Sequence, residues 1–130
     1  MQQARQVIHS DSHFEWAVVL AQTACEVYVR DILVRTAATR GDVLAEVDRL
    51  PSTNMASDSV RYLFRKVTGY TPPADDEWWH DYRVHAQRRH DIVHRGWRVT
   101  RPEVEASLEA AKAMIEFLHW PSMRADADPE

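Results

Sequence analysis

Residues 88 to 97, Arg-Arg-His-Asp-Ile-Val-His-Arg-Gly-Trp, gather three arginines, two histidines and one acid into ten positions. These side chains can do chemistry together. Imidazole exchanges protons near neutral pH, and guanidinium stays charged and grips a phosphate through two parallel hydrogen bonds. On a helix, at 100° per residue, Trp78, Tyr82, His85, Ala86, Ile92 and Val93 fall on one side, with Arg89 in the middle of that stripe. A buried guanidinium without a partner is strongly disfavoured, so Arg89 calls for a carboxylate, a phosphate or a water-lined groove. His90 and His94 are one turn apart and share the flank beside it. Arg88 and Asp91 are expected to point more towards solvent.

Three readings follow from this spacing. Arg89 can pair with a core acid while the histidines sit half-exposed at a helix end, with no site at all. His90-x-x-x-His94 has the geometry of a zinc-binding helix. However, Asp91 stands where the zinc-protease motif has Glu, and no Cys or His pair elsewhere supplies obvious further ligands. The third reading is phosphodiester chemistry, with imidazole moving protons and arginine holding the phosphate as charge develops.

The charge distribution bears on the choice. Between Arg83 and Arg101 six arginines face one acid, a net +5 within a chain of net −4, so the remainder carries −9. A basic patch on an acidic body suits a confined phosphate site better than a broad nucleic-acid-coating surface. Basic helix ends complement the helix dipole, which accounts for Arg95 but not for the whole cluster.

The elements that position the cluster are helical. At 130 residues, 45% apolar and 28% charged, the chain fits one domain, with a core over about 11–120 and a polar tail expected to fray over 121–130. Three glycines leave little room for the turns of a β-sandwich. A first long helix is predicted over 11–39, started by a Ser12-x-x-Glu15 capping box and packed through Phe14, Val18, Ala21, Cys25, Tyr28 and Ile32. Leu20, Val27 and Val34 widen that stripe, which places this helix centrally among several neighbours. Shorter helices are predicted over 42–50 and 56–68, the latter stopped by Gly69. A Pro72-Pro73 connector leads to a helix over 76–95 that Gly96 ends. Thr100-x-x-Glu103 opens the last helix, with Val104, Leu108, Ala111, Ile115 and Leu118 as its stripe. The fold class is therefore an all-α bundle of four to five helices. Cys25, the single cysteine, reads as a buried structural thiol. No membrane-spanning apolar run or signal peptide is evident, so the cytoplasm is the expected location.

Arg89-His90-Asp91-Ile92-Val93-His94 resembles the R-x4-6-H signature of the HEPN superfamily (higher eukaryote and prokaryote nucleotide-binding), in the form Arg, then Asn, His or Asp, three residues, and His. The "DIVHRG" portion is similar to the local sequence of many members. The placement also agrees: late in a helix, then a glycine and one more amphipathic helix. The resemblance covers residues 11 to 120 and implies an up-and-down bundle, usually dimeric. Many members are metal-independent endoribonucleases of toxin–antitoxin, abortive-infection and other defence systems. Others are catalytically silent modules that scaffold a nucleotidyltransferase or another protein. The resemblance implies that two motif helices meet in a homodimer to form one composite groove for RNA. There Arg89 binds the scissile phosphate, His94 is general acid/base, and His90 orients Arg89 or the phosphate, with no metal or cofactor. Some members carry an acid on the early helix near the groove, which makes Glu26 a supporting candidate to hold Arg89 or Arg30. An ordinary Glu26–Arg30 salt bridge is the simpler alternative. Arg88, Arg95 and Trp97 are candidates for substrate contact. Trp78, Trp79, Tyr82 and Trp97 can stack on bases, or serve as core or dimer contacts.

Overall fold

A computed structural model describes the backbone of residues 2–38 and 41–127 and the side chains of 13–38, 41 and 43–119. Five helices account for most of it: α1 (Gln2–Ala37), α2 (Gly41–Asp48), α3 (Asp58–Thr68), α4 (Glu77–Arg95) and α5 (Arg101–Ala127). No strand occurs among the described residues, and no helix there is long and apolar enough to cross a membrane. The expected all-α bundle is what forms. Helices α1, α4 and α5 pack on one another, while α2 and α3 lean on α1 and on each other.

The glycine punctuation behaves as the sequence predicts. Gly69 ends α3 with φ 82°, its N–H returning to the Arg65 carbonyl. Gly96 ends α4 with φ 66°, its N–H donating to the Ile92 carbonyl, while the Trp97 N–H reaches the Asp91 carbonyl at 3.2 Å. Both positions need the left-handed backbone that glycine adopts without a Cβ clash. The capping box of α5 also forms reciprocally. Thr100 N–H donates to Glu103 Oε1 at 2.9 Å, and Glu103 N–H donates to Thr100 Oγ1 at 3.4 Å. The Thr100 N–H holds the Glu103 carboxyl below its usual range.

The expected start of α1 is wrong. The helix runs through Ser12 from Gln2, because residues 2–10 contain neither Gly nor Pro to stop it. The Ser12 side chain lies outside the described residues. Glu15, instead of closing a cap, accepts the Val99 N–H at 2.8 Å and so ties α1 to the connection between α4 and α5. The helix ends at Ala37, with Ala38 in a turn, two residues before the expected end at position 39, which itself lies outside the described residues. At the other terminus α5 carries its helical backbone through Pro121 to Ala127, where a frayed tail was expected, and 128–130 lie outside the described residues.

The main core joins Cys25, Val29 and Leu33 of α1 to Val60 and Phe64 of α3, Tyr82 and Ala86 of α4, and Met114 and Leu118 of α5. Cys25 is fully buried, and burial together with nearby Glu26 pushes its thiol up to about 12, in keeping with a structural role. A second cluster of Val18, Val99 and Val104, with Phe14, Ala17 and Ile92 against it, lies where α4 ends and α5 begins. Two stripe assignments need correction. Leu20 and Val27 are exposed beside Trp16, so α1 is covered on fewer sides than expected. On α5, Leu108 is exposed while Ser107 and Ala110 are buried. The small residues take the inner position because Ser107 meets an arginine of α4 there.

Candidate functional site

The inward face of α4 buries Trp79, Tyr82, His85 and Ala86. Trp79, rather than the predicted Trp78, is the buried indole, and it stacks on Tyr82 with ring centroids 5.7 Å apart. Trp78 is half-buried against Phe117. The hydroxyl of Tyr82 accepts from Gln22 Nε2 at 3.0 Å and donates to Asn54 Oδ1 at 3.3 Å. Burial pushes that phenol well above its ordinary range. His85 is wholly enclosed with neither ring nitrogen bonded. Burial, aided by the charge of Arg88, lowers its imidazole to about 4, so it is neutral at physiological pH.

Arg89 occupies the centre of this inward face, as its place in the apolar stripe predicts. It is half-buried, and its Nε is enclosed without a hydrogen bond. No carboxylate among the described residues lies within ion-pairing distance of it. The core acid that would neutralise Arg89 is therefore not found among the described residues.

His90 and His94 are both exposed, their rings tilted 42° to each other with centroids 4.6 Å apart. His94 lies five positions after Arg89, which at 100° each sets them roughly 140° apart around the helix. One copy of α4 thus directs the guanidinium inward and the imidazole outward. Val93, expected to be packed, is 47% exposed on the side between them. No group of three or more His, Cys, Asp and Glu able to hold a metal occurs among the described residues.

The neighbours of this pair fall differently from expectation. Asp91, expected towards solvent, is only 6% exposed because the chain after Gly96 folds back over it. Its Oδ1 accepts from Gln87 Nε2 at 3.1 Å and lies 3.6 Å from Arg95 Nε. Arg88 is likewise turned inward, donating to the Glu103 carbonyl at 3.2 Å and to Ser107 Oγ at 2.6 Å. That arginine locks α4 to α5. Arg95 is exposed and lies 5.7 Å over the ring of Trp97, which is itself 55% exposed.

Glu26 reaches neither Arg89 nor Arg30. Its carboxylate accepts from Gln22 Nε2 at 3.0 Å, and its carbonyl accepts from Thr53 Oγ1 at 2.6 Å. Arg30 turns instead to Asp48 at 3.8 Å, because α2 runs alongside this part of α1. Glu26 connects to α4 through Gln22, which bonds both the Glu26 carboxylate and the Tyr82 hydroxyl.

Beside the motif and sharing His90 with it, α4 forms one wall of a cleft of about 590 Å³, lined by Asn54, Ser57, His80, Arg83, Gln87 and His90 among others. Sequence reading overlooked this wall. Its signal was available: polar residues at 80, 83, 87, 90 and 94 recur at helical spacing opposite the apolar stripe. Asn54 had no such signal, since only the fold brings the 51–57 connection to α4. Compared with known proteins, the chain matches no family model, and neither the curated proteins nor the solved structures give a match.

Proposed function

We propose that this protein is an endoribonuclease of the HEPN type, acting as a homodimer in the cytoplasm, with Arg89 and His94 as its reacting pair. One observation carries the reading. Arg89 is held in the inward face of α4 with a buried, unbonded Nε and no carboxylate beside it among the described residues. A guanidinium so placed is short of an anion, and a phosphodiester supplies one with the right fork geometry. His94 is exposed at the end of the same helix, open to an incoming substrate.

The divergence of the two groups around α4 supports a composite groove. The reading calls for a second copy whose own α4 lies alongside, with the His94 of one copy working beside the Arg89 of the other. The 2′-hydroxyl attacks phosphorus while one His94 takes its proton. The P–O bond to the next nucleotide's 5′-oxygen breaks, and the other His94 returns a proton to that oxygen. Arg89 stabilises the extra negative charge on the phosphoryl oxygens. The products are a 2′,3′-cyclic phosphate and a 5′-hydroxyl. These roles use protein groups alone, so the activity is expected to persist in EDTA. A toxin or phage-defence setting, with an antitoxin as partner, belongs to this reading.

The test is cleavage of RNA by the purified protein in EDTA, with product ends identified. His94→Ala and Arg89→Ala are each expected to lower the rate by about 10²- to 10⁴-fold. Full activity in His94→Ala overturns the reading. A protein that dimerises, binds a nucleotidyltransferase or other partner and leaves RNA intact is the silent scaffold instead.

A further inference from the structure

We infer that the cleft between α4 and the 51–57 connection is the subsite for the RNA strand beside the scissile phosphate, with Arg83 and His80 on the phosphate backbone and Asn54 on a base. This rests on the nuclease reading for its substrate, but its geometry is independent of Arg89 and His94.

The cleft is the right size and the right charge. At about 590 Å³ it falls within the range of small-molecule pockets and can take a nucleotide. His80, Arg83 and His90 line it, and no carboxylate among the described residues does. Among the described residues, two further clefts that border α4 each include acids: Asp81 and Glu109 in one, Asp91 and Glu103 in the other. Among these three, only the first suits a polyanion. Arg83, His80 and His90 make no hydrogen bond or ion pair with the described residues, so their donors are available.

Asn54 is a fixed reader rather than a loose side chain. Its Oδ1 accepts both the Ala56 N–H at 2.9 Å and the Tyr82 hydroxyl at 3.3 Å. Tyr82 is in turn anchored by Gln22 inside the core. That double acceptance sets the amide's orientation and leaves the two Nδ2 protons as donors for a base carbonyl. His90 joins the cleft to the motif, since it lines the cleft and its ring lies 4.6 Å from that of His94. From His94 back to Arg83 is roughly 16 Å along the helix at 1.5 Å per residue, a length that an extended strand of several nucleotides would follow.

The probe is a hexamer of 2′-O-methyl uridine, which lacks the attacking hydroxyl and is not cut. Wild type is expected to bind it, with NMR shifts at the Asn54 side-chain amide and at the His80 and His90 rings. Arg83→Gln is expected to weaken binding about fivefold or more and to reduce the salt slope by about one. Asn54→Asp keeps the Oδ1 acceptor that Tyr82 and Ala56 need but removes the donors, so it weakens binding with the fold preserved. Unchanged hexamer affinity in both variants, or shifts confined to residues outside the cleft, overturns the inference. A protein that binds the hexamer through these residues yet never cleaves RNA retains the subsite and loses the nuclease reading. Cleavage that persists, with hexamer affinity indifferent to Arg83 and Asn54, does the reverse.

Discussion

Helix α4 has two unlike faces. Its inward face carries Tyr82, His85 and Arg89, where both ring nitrogens of His85 and the Nε of Arg89 are enclosed without partners. Its outward face carries His80, Arg83, His90 and His94, all exposed. Polar groups of the same types thus do opposite things on one helix. Inside, they cost stability and are held by packing around them. Outside, they cost nothing to keep free and are open to a ligand. The comparison is sharpest at Tyr82, which packs on Trp79 and bridges Gln22 to Asn54. Tyr82→Ala removes the ring and both hydroxyl bonds, and is expected to lower unfolding free energy by about 3–5 kcal/mol in urea titration. Arg83→Ala, on the other face, is expected to stay within about 0.5 kcal/mol. Similar losses in the two variants would dissolve the distinction between the faces.

His85 extends the contrast to pH. Burial lowers its folded-state imidazole to about 4, against an ordinary value of 6.5. The folded state therefore binds this proton more weakly than the unfolded chain. The contribution of neutral His85 is fully present above pH 6.5 and is lost progressively as pH falls towards 4. Over that window stability is expected to drop by about 1.4 kcal/mol per pH unit from this one group. His85→Leu should flatten that part of the profile in urea titrations repeated from pH 7 to pH 4. An unaltered slope in the variant would place the acid sensitivity elsewhere.

Much of this arrangement was readable from residue types. Gly69, Gly96 and the Thr100–Glu103 box are local signals, because each depends only on a few consecutive residues and their backbone angles. The place of Arg89 in an apolar stripe was also legible, since helical periodicity decides which side of α4 meets the core. What failed was set by partners distant in sequence. Glu15 fits a cap by spacing, whereas its bond to Val99, 84 residues further along the chain, leaves no local trace. Spacing pairs Glu26 with Arg30, and the resemblance offers it Arg89 as well, yet α2 delivers Asp48 to Arg30 and Gln22 claims the Glu26 carboxylate. Asp91 and Arg88 looked peripheral by angle, and the turn after Gly96 and Ser107 of α5 enclosed them. Asn54 was invisible for the same reason.

The adjacent arginines 88 and 89 give the finest test, because they differ only in what the fold offers them. Arg88 satisfies the Glu103 carbonyl and Ser107 Oγ. Arg88→Met keeps an apolar stem of similar length but leaves both acceptors facing a thioether, so a loss of about 1–3 kcal/mol is expected. Arg89→Met removes a charged group whose Nε is buried without a bond. Replacing such a group by a flexible apolar side chain relieves its desolvation, so this variant is expected to be neutral or more stable in the same denaturation experiment. On the proposed reading, a stabilising Arg89→Met would mean that Arg89 serves what it meets when a phosphodiester arrives. If Arg89→Met instead destabilises as much as Arg88→Met, Arg89 has a structural partner in the free protein, and the anion it lacks is no longer needed to explain it.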